Sequence, residues 1–324
     1  MDQLTHIRKP IEEELERYQS LYEKDFVHAN PLLHLALQHI RKRQGKRLRP
    51  IIAMLSARCF GVVGEAVLHA AVGLELVHTA SLVHDDIVDE SDMRRGQASV
   101  NTLMSNQAAV LVGDYILARS LYHASQTRCL EVVNLLSAVT EQLSDGELLQ
   151  MYTLDSERVE EEVYYDIIRR KTAVLFSTSA QIGALLAGAG EEGQEALRLY
   201  GEYLGIAFQI RDDMLDYEGG DALGKPTGND MKEGKLTLPV IYAVNKGGQP
   251  EMRELALKVR KSEASPEDIK VLVDFTLEQG GLLYAAQEME RYADMAVRQL
   301  ACLPDSEFKA SLCSLARLAV QRNH

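Results

Sequence analysis

The chain has 324 residues, 46% of them hydrophobic and 26% charged, with no tryptophan; a chain of that length buries roughly three quarters of its extended surface, enough for a large core. Thirty-five Lys and Arg against 48 Asp and Glu give a formal net charge of −13, which repels a phosphate backbone and argues against nucleic acid as a partner. Any phosphate ligand therefore needs a local basic pocket or metal ions. The four cysteines, Cys59, Cys129, Cys302 and Cys313, form no CxxC pair and read as small core residues of a reduced, intracellular protein. Met1-Asp2-Gln3-Leu4 has neither the basic nor the apolar region of a secretion signal, so the expected location is cytoplasmic.

Taken along the chain, Asn30-Pro31 has the form of an N-cap followed by proline at the first helical position. Gly45-Lys46-Arg47-Leu48-Arg49-Pro50 places three cations at a helix entrance. No proline occurs between Pro50 and Pro226, and the interval is dense in Ala, Leu, Glu and Gln, which permits long helices. Leu130, Val133, Leu136, Ala138 and Leu143 recur at helical spacing. Thr172 to Gly190 carries no charge over 19 residues, close to the ~20 that span a bilayer. Its Thr172, Ser177, Thr178, Ser179 and Gln181 make it a buried core helix rather than a membrane anchor. Glu218 to Lys235 is the clearest irregular segment, and Ser265-Pro266-Glu267-Asp268 marks another helix start. No run alternates as a strand would. The expected fold is all-α, a single domain over residues 1–324 built from about a dozen helices.

Two clusters interrupt this apolar background. His84-Asp85-Asp86-Ile87-Val88-Asp89-Glu90 and Gln209-Ile210-Arg211-Asp212-Asp213-Met214-Leu215-Asp216 both contain Asp-Asp-x-x-Asp. On a helix, Asp85 and Asp89 share a face one turn apart, as do Asp212 and Asp216. Like charges at that spacing repel by a few tenths of a kcal/mol, more if partly buried. A solvated acidic face would explain one such cluster; two copies in apolar sequence point to hard divalent cations, and Mg²⁺ takes few protein carboxylates, completed by water and substrate phosphates. Arg94-Arg95 follows the first cluster, Lys171-Thr172 opens the uncharged stretch, and Lys225 and Lys235 lie in the irregular segment. In an acidic protein such placement suggests phosphate anchors.

In this order and spacing, Gly45-Lys46-x-x-Arg49-Pro50, His78, Asp85-Asp86-x-x-Asp89 with Arg94-Arg95, Lys171-Thr172, Gln209 with Asp212-Asp213-x-x-Asp216, and Gly224-Lys225-Pro226-Thr227 resemble the trans-isoprenyl diphosphate synthases, the polyprenyl synthetases. The resemblance implies an isoprenoid synthase-like helical bundle around a central cavity, a homodimer, and head-to-tail condensation of isopentenyl diphosphate with an allylic diphosphate. It implies three Mg²⁺ ions per site, two held by Asp85 and Asp89 and one by Asp212 with Asp216. Arg94, Lys171, Thr172, Gln209, Lys225 and Lys235 would contact the allylic substrate, and Lys46, Arg49, His78 and Arg95 the isopentenyl diphosphate. The catalytic set would be Asp85, Asp89, Lys171, Gln209, Asp212 and Lys225. The family's basic C-terminal residues also approach isopentenyl diphosphate, and this sequence reads Arg322-Asn323-His324 there.

Product length reads from the residues preceding the first cluster. Ala80 and Ser81 are small, where Phe or Tyr would block a growing chain, so a tunnel is expected to continue past Val77 and Leu74. In the family it resembles, small residues at these places go with medium or long products, so the favoured product is C30 to C50, with octaprenyl near the middle, and Leu136 is one choice for the floor. Long products imply transient membrane contact at release. The alternatives are a short-chain farnesyl or geranylgeranyl synthase and one subunit of a heteromeric synthase, though both acidic clusters are intact. A di-iron reading of Glu75-x-x-His78 lacks its further carboxylate motifs. A phosphate-loop reading of Gly219 to Thr227 fails because Pro226 occupies the hydroxyl position.

Overall fold

Helices dominate the described part of the proline-free interval. The computed structural model describes residues 3–42, 45–94, 96–154, 156–217 and 228–321. The longest helices are Glu65–Val88, Asn106–Gln126, Leu130–Thr153 and Glu191–Leu215. Asn30 caps its helix as the sequence predicts, its side chain accepting from the amides of Leu32 and Leu33 with Pro31 at the first position. Ser265 and Asp268 form a reciprocal capping box. The only strands among the described residues are Met93–Arg94 and Gln97–Ala98, an antiparallel pair with Met93 opposite Ala98 and Arg94 opposite Gln97. Two-residue strands are too short to leave an alternation in the sequence.

The chain divides into two compact units: Met1–Glu141 with Leu175–Gly201 and Gln299–Leu315, and Gln142–Val174 with Glu202–Arg298 and Ala316–His324. In the first, Glu65–Val88 buries Val67, Leu68, Val72, Leu74, Leu76 and Val77, each worth roughly 1.5–3 kcal/mol of apolar transfer. In the second, Tyr164 and Ile168 pack with Ile206, Ile210, Met214, Ile241 and Tyr292.

Four expectations are corrected in detail. Along Leu130–Thr153 the buried stripe is Val132, Leu136 and Val139, while Leu130 is 74% exposed and Ala138 is exposed as well; apolar residues on both faces blur the helical period. The stretch Thr172–Gly190 is not one long helix, because Arg169–Ala173 forms a π-helical turn and the α-helix runs only Val174–Leu186. Among the described residues, the helix long and apolar enough to span a bilayer is Glu65–Val88, and 67% of its most apolar window is buried inside the protein. Of the four cysteines only Cys59 is buried; Cys302 is exposed.

Candidate functional site

The first acidic cluster sits where Glu65–Val88 ends. The amide of Ser91 bonds back to the Asp86 carbonyl at 2.9 Å, with Glu90 in the left-handed region at φ 49°. This is a Schellman-type stop made by a residue with a Cβ, so the turn carries strain of about 1 kcal/mol. It presents Asp85, half-buried, and Asp89, exposed, on adjacent turns. The middle residue behaves differently: Asp86 is 1% exposed and its Oδ1 accepts from Arg94 Nε. The short hairpin supplies Arg94, so Asp86 anchors a basic residue and leaves Asp85 and Asp89 as the outward pair.

Helical geometry sorts the residues below the cluster. Counting back from Asp85 at about 100° per residue, Ser81, His78 and Leu74 stay within about 40° of its face, whereas Val77 is turned by about 80° and Ala80 by about 140°. Burial agrees, since Ala80 is 2% exposed while Ser81 and His78 are only half-buried. Ser81 Oγ bonds its own helix at the His78 carbonyl, 2.9 Å away. Leu136 Cδ1 lies 3.5 Å from where a Cβ on Gly73 would be, a level roughly 18 Å along the axis from Asp85.

The basic entrance resolves into separate jobs. Arg47 adopts φ 52° at the start of Leu48–Arg58 and lays its guanidinium over Tyr22, 5.0 Å from the ring centroid, a cation–π contact that makes it structural. Arg49 is half-buried with its guanidinium 5.2 Å from the Phe176 ring centroid, and Lys46 is exposed. Arg95, Lys225 and Arg322-Asn323-His324 lie outside the described residues.

The second unit gathers the other set. The π-helical turn Arg169–Ala173 shifts the helix register by one residue, a distortion concentrated at functional sites. Arg170 holds the turn through a bidentate pair with Asp166, at 3.0 and 2.8 Å, and a bond to Asp145. Gly146 lets Leu130–Thr153 approach: a Cβ there would stand 2.8 Å from Arg170 Cβ and 3.0 Å from Lys171 Cγ. Lys171 Nζ pairs with Glu147 and donates to Gln150 Oε1 at 3.0 Å. Thr172 Oγ1 donates to Gln209 Oε1 at 2.7 Å, Gln209 Nε2 donates to Asp213 Oδ1 at 2.8 Å, and the Tyr164 hydroxyl donates to Asp213 Oδ2 at 2.6 Å.

Asp212 and Asp216 complete this set. Asp216 caps the short helix Asn229–Lys232, accepting from the Asn229 amide and side chain at 3.0 and 3.1 Å and from the Asp230 amide at 3.0 Å. Those three bonds use most of a carboxylate's acceptor capacity, so Asp212 is the better-placed donor of the two. Arg211 turns away and donates to the Leu318 carbonyl at 3.0 Å. Lys235 pairs with Glu233 at 2.7 Å. Burial pushes Asp213 up to about 8 despite the donors Tyr164 and Gln209. Burial, then Asp216, pushes Asp230 up to about 7. Asp212 is raised by partial burial, with Asp216 adding to it and Arg211 opposing, although the side chain reaches solvent. Sequence reasoning missed Asp230, Glu147, Gln150 and Tyr164; only Asp213 carried a signal, as the middle residue of its cluster.

The chain matches the family model described as Polyprenyl synthetase over residues 30–276. It is 40% identical over 298 residues to octaprenyl diphosphate synthase of Haemophilus influenzae, covering 91% of this chain and 89% of that one. A solved geranylgeranyl pyrophosphate synthase from Bacteroides thetaiotaomicron is 44% identical, with a TM-score of 0.87 over 99% of this chain and 100% of that chain. A polyprenyl synthase from Caulobacter crescentus, complexed with calcium and isoprenyl diphosphate, is 32% identical with a TM-score of 0.91, covering 98% of each chain.

Proposed function

We propose that this chain, which belongs to the polyprenyl synthetase family and is a trans-prenyltransferase, lengthens an allylic diphosphate with isopentenyl diphosphate to an all-trans C30 to C50 product. The observation that carries the reading is the paired carboxylates, Asp85 with Asp89 where Glu65–Val88 ends and Asp212 with Asp216 where Glu191–Leu215 ends, with Arg94 anchored on Asp86 within the first cluster. The donor set fits Mg²⁺: the oxygens are hard, and burial raises Asp212, Asp213 and Asp230, with Asp216 adding to the rise of Asp212 and Asp230, so a cation would favour their charged forms. We assign two ions to Asp85 and Asp89, and one to Asp212 with Asp216 in a lesser part. Bound Mg²⁺ would neutralise the departing diphosphate.

The protein's own residues do the rest. Lys171, held by Glu147 and Gln150, keeps an ammonium ready for the allylic diphosphate, and Arg94, Thr172, Gln209, Lys225 and Lys235 are assigned to the same ligand. Lys46, Arg49, His78 and Arg95 hold isopentenyl diphosphate. Preorganised cations and N–H groups meet the charge that develops as the allylic C–O bond breaks. The isopentenyl double bond then attacks the allylic carbon, and the departing diphosphate takes the proton. An apolar wall excludes water from the cation.

The test incubates the purified chain with Mg²⁺, labelled isopentenyl diphosphate and farnesyl diphosphate, and sizes the dephosphorylated products. A ladder ending between C30 and C50 is expected. The second reading, a geranylgeranyl diphosphate synthase, is favoured by the 44% identity to the Bacteroides enzyme; products stopping at C20 would establish it. No product from farnesyl, geranyl or dimethylallyl primers would move the assignment to a subunit of a heteromeric synthase.

A second copy of the chain is the proposed partner, and the cytoplasm the proposed location. Leu111, Ala118, Leu121 and Tyr122 leave one exposed stripe on Asn106–Gln126, and contiguous apolar surface of that kind marks an interface. Sedimentation velocity reads the state directly, and a monomer at assay concentration overturns the dimer.

A further inference from the structure

Tyr164 belongs to none of the motifs, yet it ends a chain of hydrogen bonds that reaches two of the proposed substrate contacts. It lies on the helix Glu161–Ile168, is 6% exposed, and packs its ring edge-on to Tyr165 at 5.4 Å between centroids. Its hydroxyl reaches Asp213 Oδ2, whose other oxygen receives Gln209 Nε2, whose own oxygen receives the Thr172 hydroxyl. Every link is 2.6 to 2.8 Å, and the four residues come from the contiguous elements Glu161–Ile168 and Arg169–Ala173 and from the helix Glu191–Leu215.

We infer that Tyr164 is a positioning residue that, through Asp213, fixes which face of the Gln209 amide meets the allylic diphosphate. A primary amide has a donating and an accepting side, nearly equal in shape. Asp213 Oδ1 accepts from Gln209 Nε2 while Oδ2 accepts from Tyr164, so the Gln209 NH2 faces Asp213. The Gln209 oxygen then faces Thr172 and takes that hydroxyl's single proton. What remains for an anionic oxygen is the second N–H of Gln209, a donor. Without the Tyr164 hydroxyl, the buried Asp213 carboxyl loses the bond that sets its rotation and Gln209 loses its fixed partner. The amide is then free to turn by 180° and present its carbonyl to the diphosphate, which repels it.

This inference rests on the synthase reading, so the experiment separates the two. The dissociation constant of farnesyl diphosphate is measured by calorimetry without isopentenyl diphosphate, and KM for isopentenyl diphosphate by turnover. Both are taken for the wild type, Tyr164→Phe, Thr172→Val and the double variant. Tyr164→Phe keeps the ring and is expected to weaken farnesyl diphosphate about tenfold while leaving KM for isopentenyl diphosphate within about twofold. In the Thr172→Val background, where Gln209 is already released, the same change should cost less than about threefold, a sub-additive coupling. A merely structural tyrosine would weaken both substrates alike and add to Thr172→Val in full; either result overturns the inference, as does unchanged binding. Should Tyr164→Phe lack a cooperative melt, Asp213→Asn carries the same test, because its NH2 invites the Gln209 oxygen and reverses the amide. A wild type that neither binds farnesyl diphosphate nor forms product refutes the synthase reading itself, whereas a working wild type with unaffected variants refutes only the role of Tyr164.

Discussion

Asp85→Ala is expected to cut chain elongation by at least about 10³-fold while leaving the melting temperature unchanged or slightly higher. Asp85 and Asp89 stand one turn apart at the end of Glu65–Val88, so removing one carboxylate takes away half of that donor pair. Asp85 repels Asp89 by a few tenths of a kcal/mol, and the buried bond to Arg94 belongs to Asp86 and stays in place. Labelled product formation and a thermal melt followed by circular dichroism are the two measurements. A variant that keeps more than about a tenth of the rate would remove Asp85 from the metal-binding role. A variant that loses both rate and cooperative melting would show the residue to be structural.

How much of this was legible in the sequence depends on how far each signal extends along the chain. Helix class and starts are local properties, and Asn30-Pro31 and Ser265-Pro266 cap as their residue types require. The i,i+4 carboxylate pairs are also local, so Asp85 with Asp89 and Asp212 with Asp216 were identifiable before any coordinates. The division of labour inside a cluster is not local. Asp86 differs from Asp85 only because the turn after Asp89 brings Arg94 back onto it, and Asp216 is drawn away because Asn229 and Asp230 fold onto it. Tyr164 and Glu147 are ordinary helix residues in sequence and enter the site only through tertiary contact. The π-helical turn at Lys171 leaves no compositional trace, which is why Thr172–Gly190 read as one continuous helix.

The same geometry gives the second large effect. Ser81→Tyr is expected to truncate the product ladder from C30–C50 to C20 or shorter, with the first condensation slowed by less than about fivefold. Ser81 lies four residues before Asp85, about 6 Å down the axis, and within about 40° of its face. A phenol ring at that place would stand in the path of the lengthening tail without touching the carboxylates above it. The serine hydroxyl is turned back onto its own helix, so losing it leaves no partner stranded. Ala80 is the control that the structure adds. It is equally small, but it points about 140° away from Asp85 and is 2% exposed, so a tyrosine there would overpack the core by about 1–3 kcal/mol and lower stability instead of shortening the product. Chromatography of the dephosphorylated products and parallel thermal melts distinguish the two substitutions. If Ser81→Tyr leaves the product distribution as it was, the chain grows along another face of the helix, and the descent from Asp85 past Ser81 towards Leu74 is not the wall it follows.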